Sequence, residues 1–442
     1  MKKLLLILLL VTTTGFSQST NYKQLDSFLE LLYQNNKVMG SLSILQKGES
    51  VYNKSVGFQY IDQNERKLAT IATKYRVGSI TKTFTATLIF QLVDEGKIKL
   101  GDKLSVYFPK VTNASNITIA NLLNHSSGLF NITNDEDFQT WMLEPTTQAE
   151  MLSRILKYDV VFQPGVKHEY SNTNYVLLGY ILEKIENKSY KAILEERIVD
   201  KLDLDNTYYG SNIDITDKEC LSYYFENETW HEDNQTHMSV PGGAGSIVSN
   251  PSDLVVFIDA LFNNKLMTKE SFALMTRIES EYGSGIFSMK KNGITFFGHN
   301  GGIDSFLSML IYIPKLEIAI ALNTNALDFD PMSIMFNAVN AVTGKDIIIP
   351  NFDTIELTEE EIEQYAGVYE SKDLPFKLVF EAHGKTLIGG TEGSNLLELS
   401  ARPKIEFTTL NNSGVVLDFD IKNKIVILKN SGHTPKTFIK KQ

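Results

Sequence analysis

Apolar positions recur along this chain with two periods, and the switch between them marks out its elements. From Ile80 the residues Ile80, Phe84, Leu88 and Leu92 fall on every fourth position. That spacing predicts a helix with one face against a core, running to about Gly96. The helical period also predicts helices over 21–36, just after Tyr175 (Leu177, Leu178, Ile181, Leu182, Ile185), over 251–262 and over 331–342. Alternation predicts a strand pair over 38–46 and 49–59, turned at Lys47-Gly48, and strand-like runs at 293–297, 307–314 and 317–323. A short helix within 117–129, closed by Gly128, precedes a polar, irregular stretch over 131–165 suited to lining a cleft. After an aperiodic linker at 345–356 and an acidic helix at Glu359-Glu360-Glu361, residues 365–440 break into short strands. Turn signals at Gly384, Gly389-Gly390, Asn411-Asn412 and Gly432 separate them, the pattern of a small β-sandwich or barrel.

Composition narrows the class. The 442 residues are 43% apolar and 21% charged, an ordinary globular balance with room for two domains. A net charge of −11 argues against a nucleic-acid surface. Cys220 is the single cysteine, so no intrachain disulfide forms, and seven histidines without ligand spacing give no metal site. Lys2 and Lys3 precede the apolar run from Leu4 to Val11, with the small residues Gly15 and Ser17 following. That is the pattern of a secretory signal over 1–17, cleaved near Ser17–Gln18, too short for a membrane span. The expectation is an exported protein, periplasmic or extracellular, with no integral membrane span once the signal is removed.

Candidate chemistry starts at Ser79. The stretch Val77-Gly78-Ser79-Ile80-Thr81-Lys82 places a hydroxyl at a helix N-terminus, where free N–H groups favour developing negative charge. Lys82, three residues on, lies on the same side of that helix. A hydroxyl beside an amine is the minimum for an activated nucleophile. The competing reading is a helix cap beside a solvated lysine, and Ser288-x-x-Lys291 shows that the spacing alone says little. Tyr170 and Asn172 fall on a connection just before a rigid helix, where site residues often lie. His125, in a turn, reads as a buried hydrogen-bonding group rather than a catalyst. Pro241-Gly242-Gly243-Ala244-Gly245 reads as a tight turn, without the lysine of a phosphate loop.

Taken in order, Ser79-x-x-Lys82, Tyr170-Ser171-Asn172 and His299-Asn300-Gly301 resemble the three motifs of the serine β-lactamase and penicillin-binding protein superfamily. Class C β-lactamases, D-alanyl-D-alanine carboxypeptidases and related esterases are the nearest look-alikes. Leu122 to Leu129, Gln163-Pro164-Gly165 and Pro241-Gly242-Gly243 extend the similarity over about 21–344. The resemblance implies an α+β fold: an all-α subdomain beside an α/β subdomain with an antiparallel sheet, here over 18–344, plus a small all-β domain at 357–442. It implies Ser79 as nucleophile, with Lys82 and Tyr170 sharing the proton traffic and the base left open between them. Backbone N–H groups of Ser79 and Gly302 would form the oxyanion hole, and Asn172, His299, Asn300 and Gly301 would contact substrate. No cofactor is implied. The expected partner is a small-molecule or peptide substrate: a D-amino-acid peptide, a β-lactam-like amide or an ester. Many penicillin-recognising members carry lysine, threonine and glycine where this chain has His299, Asn300 and Gly301. A histidine is largely neutral above about pH 6.5, so peptidase or esterase chemistry is expected over efficient β-lactam hydrolysis. The alternative is a non-catalytic module that binds peptidoglycan or a protein partner.

Overall fold

The computed structural model describes residues 12–62, 65–278, 282–291, 293–403, 406–409, 415–430 and 434–441. Most of the signal expected at 1–17, and the turns expected at Asn411-Asn412 and Gly432, lie outside the described residues. Contacts divide the chain into two compact units, one spanning Val38–Leu327 and the other joining the residues up to Lys37 with those from Asp328 onward.

In the first unit an antiparallel sheet runs in the order Phe287–Lys291, Ile294–Ile303, Phe306–Ile313, Ile318–Leu327, Val38–Gln46, Glu49–Val56. The strand Val38–Gln46 is buried along almost its whole length, which suits its apolar and small side chains. The helix Pro251–Phe262 starts on an Asn250 side-chain cap with proline at its first position. Its Leu254, Ile258 and Leu261 join the core containing Leu310, Ala319 and Ala321 of the sheet.

The helix Thr81–Asp94 differs from its sequence reading in one respect. Not one face but every residue from Thr81 to Leu92 is buried, because other elements enclose it on all sides. Its polar faces are satisfied internally, as buried hydroxyls must be. Thr83 donates to the Gly285 carbonyl at 2.7 Å and Thr85 to that of Gly243 at 2.6 Å, while Thr81 accepts from the Ile247 N–H at 3.0 Å. On its apolar side Phe84 stacks on Phe257 with ring centroids 3.6 Å apart. Truncating such a ring to alanine costs about 3–5 kcal/mol.

The second unit pairs the helices Thr12–Gln34 and Pro331–Val342, with Asn21 donating to the Lys345 carbonyl at 3.2 Å. It also holds eight antiparallel strands, from Gly367–Glu370 to Lys436–Lys440, closed into a barrel. Of the two shapes left open by the sequence, closure selects the barrel. Its interior is filled by edge-to-face aromatic pairs among Tyr365, Tyr369, Phe380, Phe407 and Phe419. Gly384 turns a hairpin with φ +61° as expected. Gly389 and Gly390 do not form a turn; they lie inside the strand Thr386–Thr391. Phe380 explains Gly389, since a Cβ there would come within 2.3 Å of the ring on the facing strand.

Candidate active site

Val77 enters a 3-10 turn, Gly78–Ile80, that leads directly into the helix Thr81–Asp94, and no side chain caps either start. Ser79 is therefore not a cap. Its Oγ instead accepts hydrogen bonds from Lys82 Nζ at 2.9 Å and from the Tyr170 hydroxyl at 2.8 Å. Lys82 is fully buried and donates also to Asn172 Oδ1 and the Ala244 carbonyl, both at 2.8 Å. These partners are all neutral. Burial thus holds the amine's pKa well below the ordinary lysine value. Burial pushes the Tyr170 phenol upward, partly offset by its bond to Ser79. The pair is polarised: an amine inclined to be neutral and a phenol that keeps its proton.

Asn172 is the first residue of the helix Asn172–Glu186, not a residue of the connection before it. Asn131 fixes its backbone, accepting the Asn172 N–H at 2.9 Å, and Thr133 Oγ1 accepts from its side chain at 3.2 Å. The irregular stretch 131–165 thereby supports the site.

The third sequence motif lies in mid-strand, within Ile294–Ile303, and its glycines let the strand press on the serine turn. A Cβ at Gly301 would stand 1.9 Å from the Val77 carbonyl oxygen and 3.0 Å from Ser79 N. A Cβ at Gly78, whose φ is +51°, would stand 2.8 Å from the Gly302 carbonyl oxygen. The N–H groups of Ser79 and Gly302 so belong to two backbone segments in contact, one at a helix start where N–H groups lack helical partners. His299 is 2% exposed, its ring 6.5 Å from that of Tyr170, and Nδ1 lies 2.5 Å from the Asn300 carbonyl. Burial first, then the charge of Lys82, lowers its pKa to about 3, so the ring is neutral. The structure brings Ser79, Lys82, Tyr170, Asn172 and Gly302 together, and sets the His299 ring behind Tyr170. His299, Asn300 and Gly301 do not line the cavity beside Ser79, whereas Gly302 does.

That cavity, about 440 Å³, is bounded by Ser79, Thr133, Asn172, Gly245, Gly302 and neighbours. Sequence reading missed two of its parts. Gly242–Ala244 is more than a tight turn: this 3-10 segment supplies the carbonyl that receives Lys82. Its signal was glycine density, since a Cβ at Gly243 would meet the Tyr175 carbonyl oxygen at 2.6 Å. The other part is the carboxylate of Asp233 on the cavity wall, for which no motif exists.

A model of the β-lactamase family matches residues 30–341. Protein flp of Staphylococcus aureus (strain MRSA252) is 26% identical over 319 residues, 69% of this chain and 62% of its own. The chain thus spans under two thirds of the length of that curated relative. A D-stereospecific amidohydrolase from Streptomyces sp. superposes with TM-score 0.59 at 29% identity, over 69% of this chain and 94% of that one. The octameric penicillin-binding protein homologue from Pyrococcus abyssi, at 23% identity, shares the fold over 94% of this chain and 99% of its own, with TM-score 0.67. With 312 matched positions enclosing the hydroxyl, the amine, the phenol and the glycine strand, the chain belongs to the β-lactamase family.

Proposed function

We propose that this protein is an exported serine hydrolase that works through an acyl-enzyme on Ser79. One observation carries the reading: the Ser79 hydroxyl receives Lys82 and Tyr170 together at hydrogen-bond distance. Ser79 Oγ attacks the substrate carbonyl carbon while its proton passes to the Lys82 amine, the member of the pair whose pKa burial lowers. The oxyanion sits between the N–H groups of Ser79 and Gly302, each such donor being worth roughly 2.7–4 kcal/mol. When the tetrahedral species collapses, the carbonyl–leaving-group bond breaks and the departing atom takes its proton through Tyr170. Water then reverses the sequence and frees Ser79. Asn172 holds the Lys82 amine and lines the cavity where the substrate is bound.

Amides or peptides of D-amino acids and short esters are the favoured substrates, with β-lactams turned over less well. The amidohydrolase named above supports the amide reading, and among the described residues no lysine or arginine lines the cavity to receive the carboxylate of a β-lactam. Export rests on residues 1–17, and the mature chain then starts near Gln18. The test is mass spectrometry of the purified chain after reaction with a fluorescent phosphonate, followed by turnover of D-amino amides, phenyl esters and nitrocefin. Expected are an adduct on the Ser79 peptide and faster turnover of amide or ester than of nitrocefin. An unmodified Ser79, with no turnover of any substrate, would point to the non-catalytic module.

A further inference from the structure

The charge on the cavity wall is one-sided. Asp233 and Asp304 line it, and among the described residues no lysine, arginine or histidine does. Asp304 is already occupied. Arg76 donates to its Oδ2 at 2.9 Å, with both side chains at most 2% exposed, and the Thr236 N–H and hydroxyl donate to Oδ1 at 2.9 and 2.6 Å. Asp233 is different. Its Oδ1 accepts the Asn234 N–H at 2.8 Å and its Oδ2 the Ser305 hydroxyl at 2.6 Å, both neutral donors. Those bonds fix the carboxylate without cancelling its charge, and each oxygen keeps a second acceptor site. A half-buried, oriented and unneutralised anion on the wall of a cleft attracts a cation and repels a second anion.

We propose that the cavity selects substrates whose acyl part carries a protonated primary amine, which Asp233 receives while the carbonyl lies at Ser79. This rests on the hydrolase reading of Ser79 and adds to it the charge of the group bound. The test follows the rate at which a fluorescent phosphonate modifies Ser79, with D-alaninamide or N-acetyl-D-alaninamide as the protecting ligand. The free amine is expected to protect at a concentration at least tenfold lower than the acetylated form. In Asp233→Asn the two concentrations converge. Equal protection by both ligands in the wild type, or an undiminished difference in Asp233→Asn, overturns the proposal while the modified serine leaves the hydrolase reading standing. Absence of Ser79 modification overturns both.

A separate observation concerns His125. It sits in the left-handed region, φ +58°, and the residues on either side of Tyr170 both hydrogen-bond to it. Its carbonyl accepts the Glu169 N–H at 2.9 Å, and its Nδ1 accepts the Ser171 N–H at 3.2 Å. The ring, 1% exposed, packs 4.4 Å from the Tyr170 ring. The geometry points to His125 as a positioning residue that holds the Tyr170 hydroxyl on Ser79. His125→Asn retains an acceptor oxygen and tolerates the left-handed backbone; His125→Ala does neither. With ester substrate, His125→Ala should lower kcat at least tenfold with KM within threefold, and His125→Asn should restore most of it. In a Tyr170→Phe background the His125→Ala loss should vanish. Independent, multiplying losses overturn the assignment, as does a folded His125→Asn protein with kcat more than tenfold below wild type.

Discussion

Ser79-x-x-Lys82 and Ser288-x-x-Lys291 share a spacing and nothing else. In the first, a 3-10 turn running into a helix puts positions three apart on one side, and Lys82 Nζ reaches Ser79 Oγ at 2.9 Å inside the core. The second lies on the strand Phe287–Lys291, where successive side chains alternate, so its serine and lysine positions fall on opposite faces of the sheet. Ser288 pairs across the ladder with Phe297. Two residue types acquire a reaction only when the backbone period matches their spacing and burial strips the amine of its water.

The largest test of that contrast is removal of each hydroxyl. Ser79→Ala should lower ester turnover by roughly 10³-fold or more and abolish the phosphonate adduct. Ser288→Ala should leave both within about twofold. Loss of activity in Ser288→Ala alone would break the comparison.

Next comes the amine. Lys82→Ala should lower kcat by roughly 10²–10⁴-fold, the usual range for a proton-transfer group. Lys82→Arg should not rescue it, because a guanidinium does not give up its proton near neutral pH. The pH profile sharpens the point. Burial lowers the Lys82 pKa, so the neutral, basic form appears below the ordinary 10.5, and kcat/KM should rise with pH and level off well before that value. A rate still climbing at that pH would remove Lys82 as base.

Packing supplies a smaller effect. A methyl group at Gly301 meets the Val77 carbonyl oxygen at 1.9 Å, whereas one at Gly302 meets nothing nearer than the Phe306 carbonyl at 4.0 Å. Gly301→Ala should therefore destabilise by about 1–3 kcal/mol in denaturant titration, and displace the serine turn. Gly302→Ala should change stability by under about 0.5 kcal/mol. Equal losses would show that the strand does not press on the turn as described.

The burial that distinguishes Lys82 also leaves a mark in acid. His299 titrates near 3 when folded and near 6.5 when unfolded, so between these values the unfolded chain binds the extra proton. Stability from this residue therefore falls as pH drops from 6.5 toward 3, by about 1.4 kcal/mol per pH unit at most. Replacing it with asparagine should flatten the dependence of the melting temperature between pH 6.5 and 4.5. An unchanged slope would mean that His299 is not the group responsible.

Sequence periodicity alone located the helix behind Ser79, five strands of the sheet though not Phe287–Lys291, and the helix Pro251–Phe262, because local period reports directly on which face is apolar. Resemblance to the ordered three motifs of the β-lactamase and penicillin-binding protein superfamily marked Ser79, Lys82, Tyr170 and Asn172. Tertiary structure decided the rest. Only enclosure on all sides buries the helix from Thr81 to Leu92 on every face, since a stripe of apolar positions says nothing about what covers the threonines. Only the strand pressed on Val77 explains Gly301, and only a facing ring explains Gly389. Asp233 and the Ala244 carbonyl join the site through contacts between residues distant in the chain, and such proximity leaves no period to read. Sequence supplied the reactive groups; the distances and the loss of water that make them reactive are properties of the folded core.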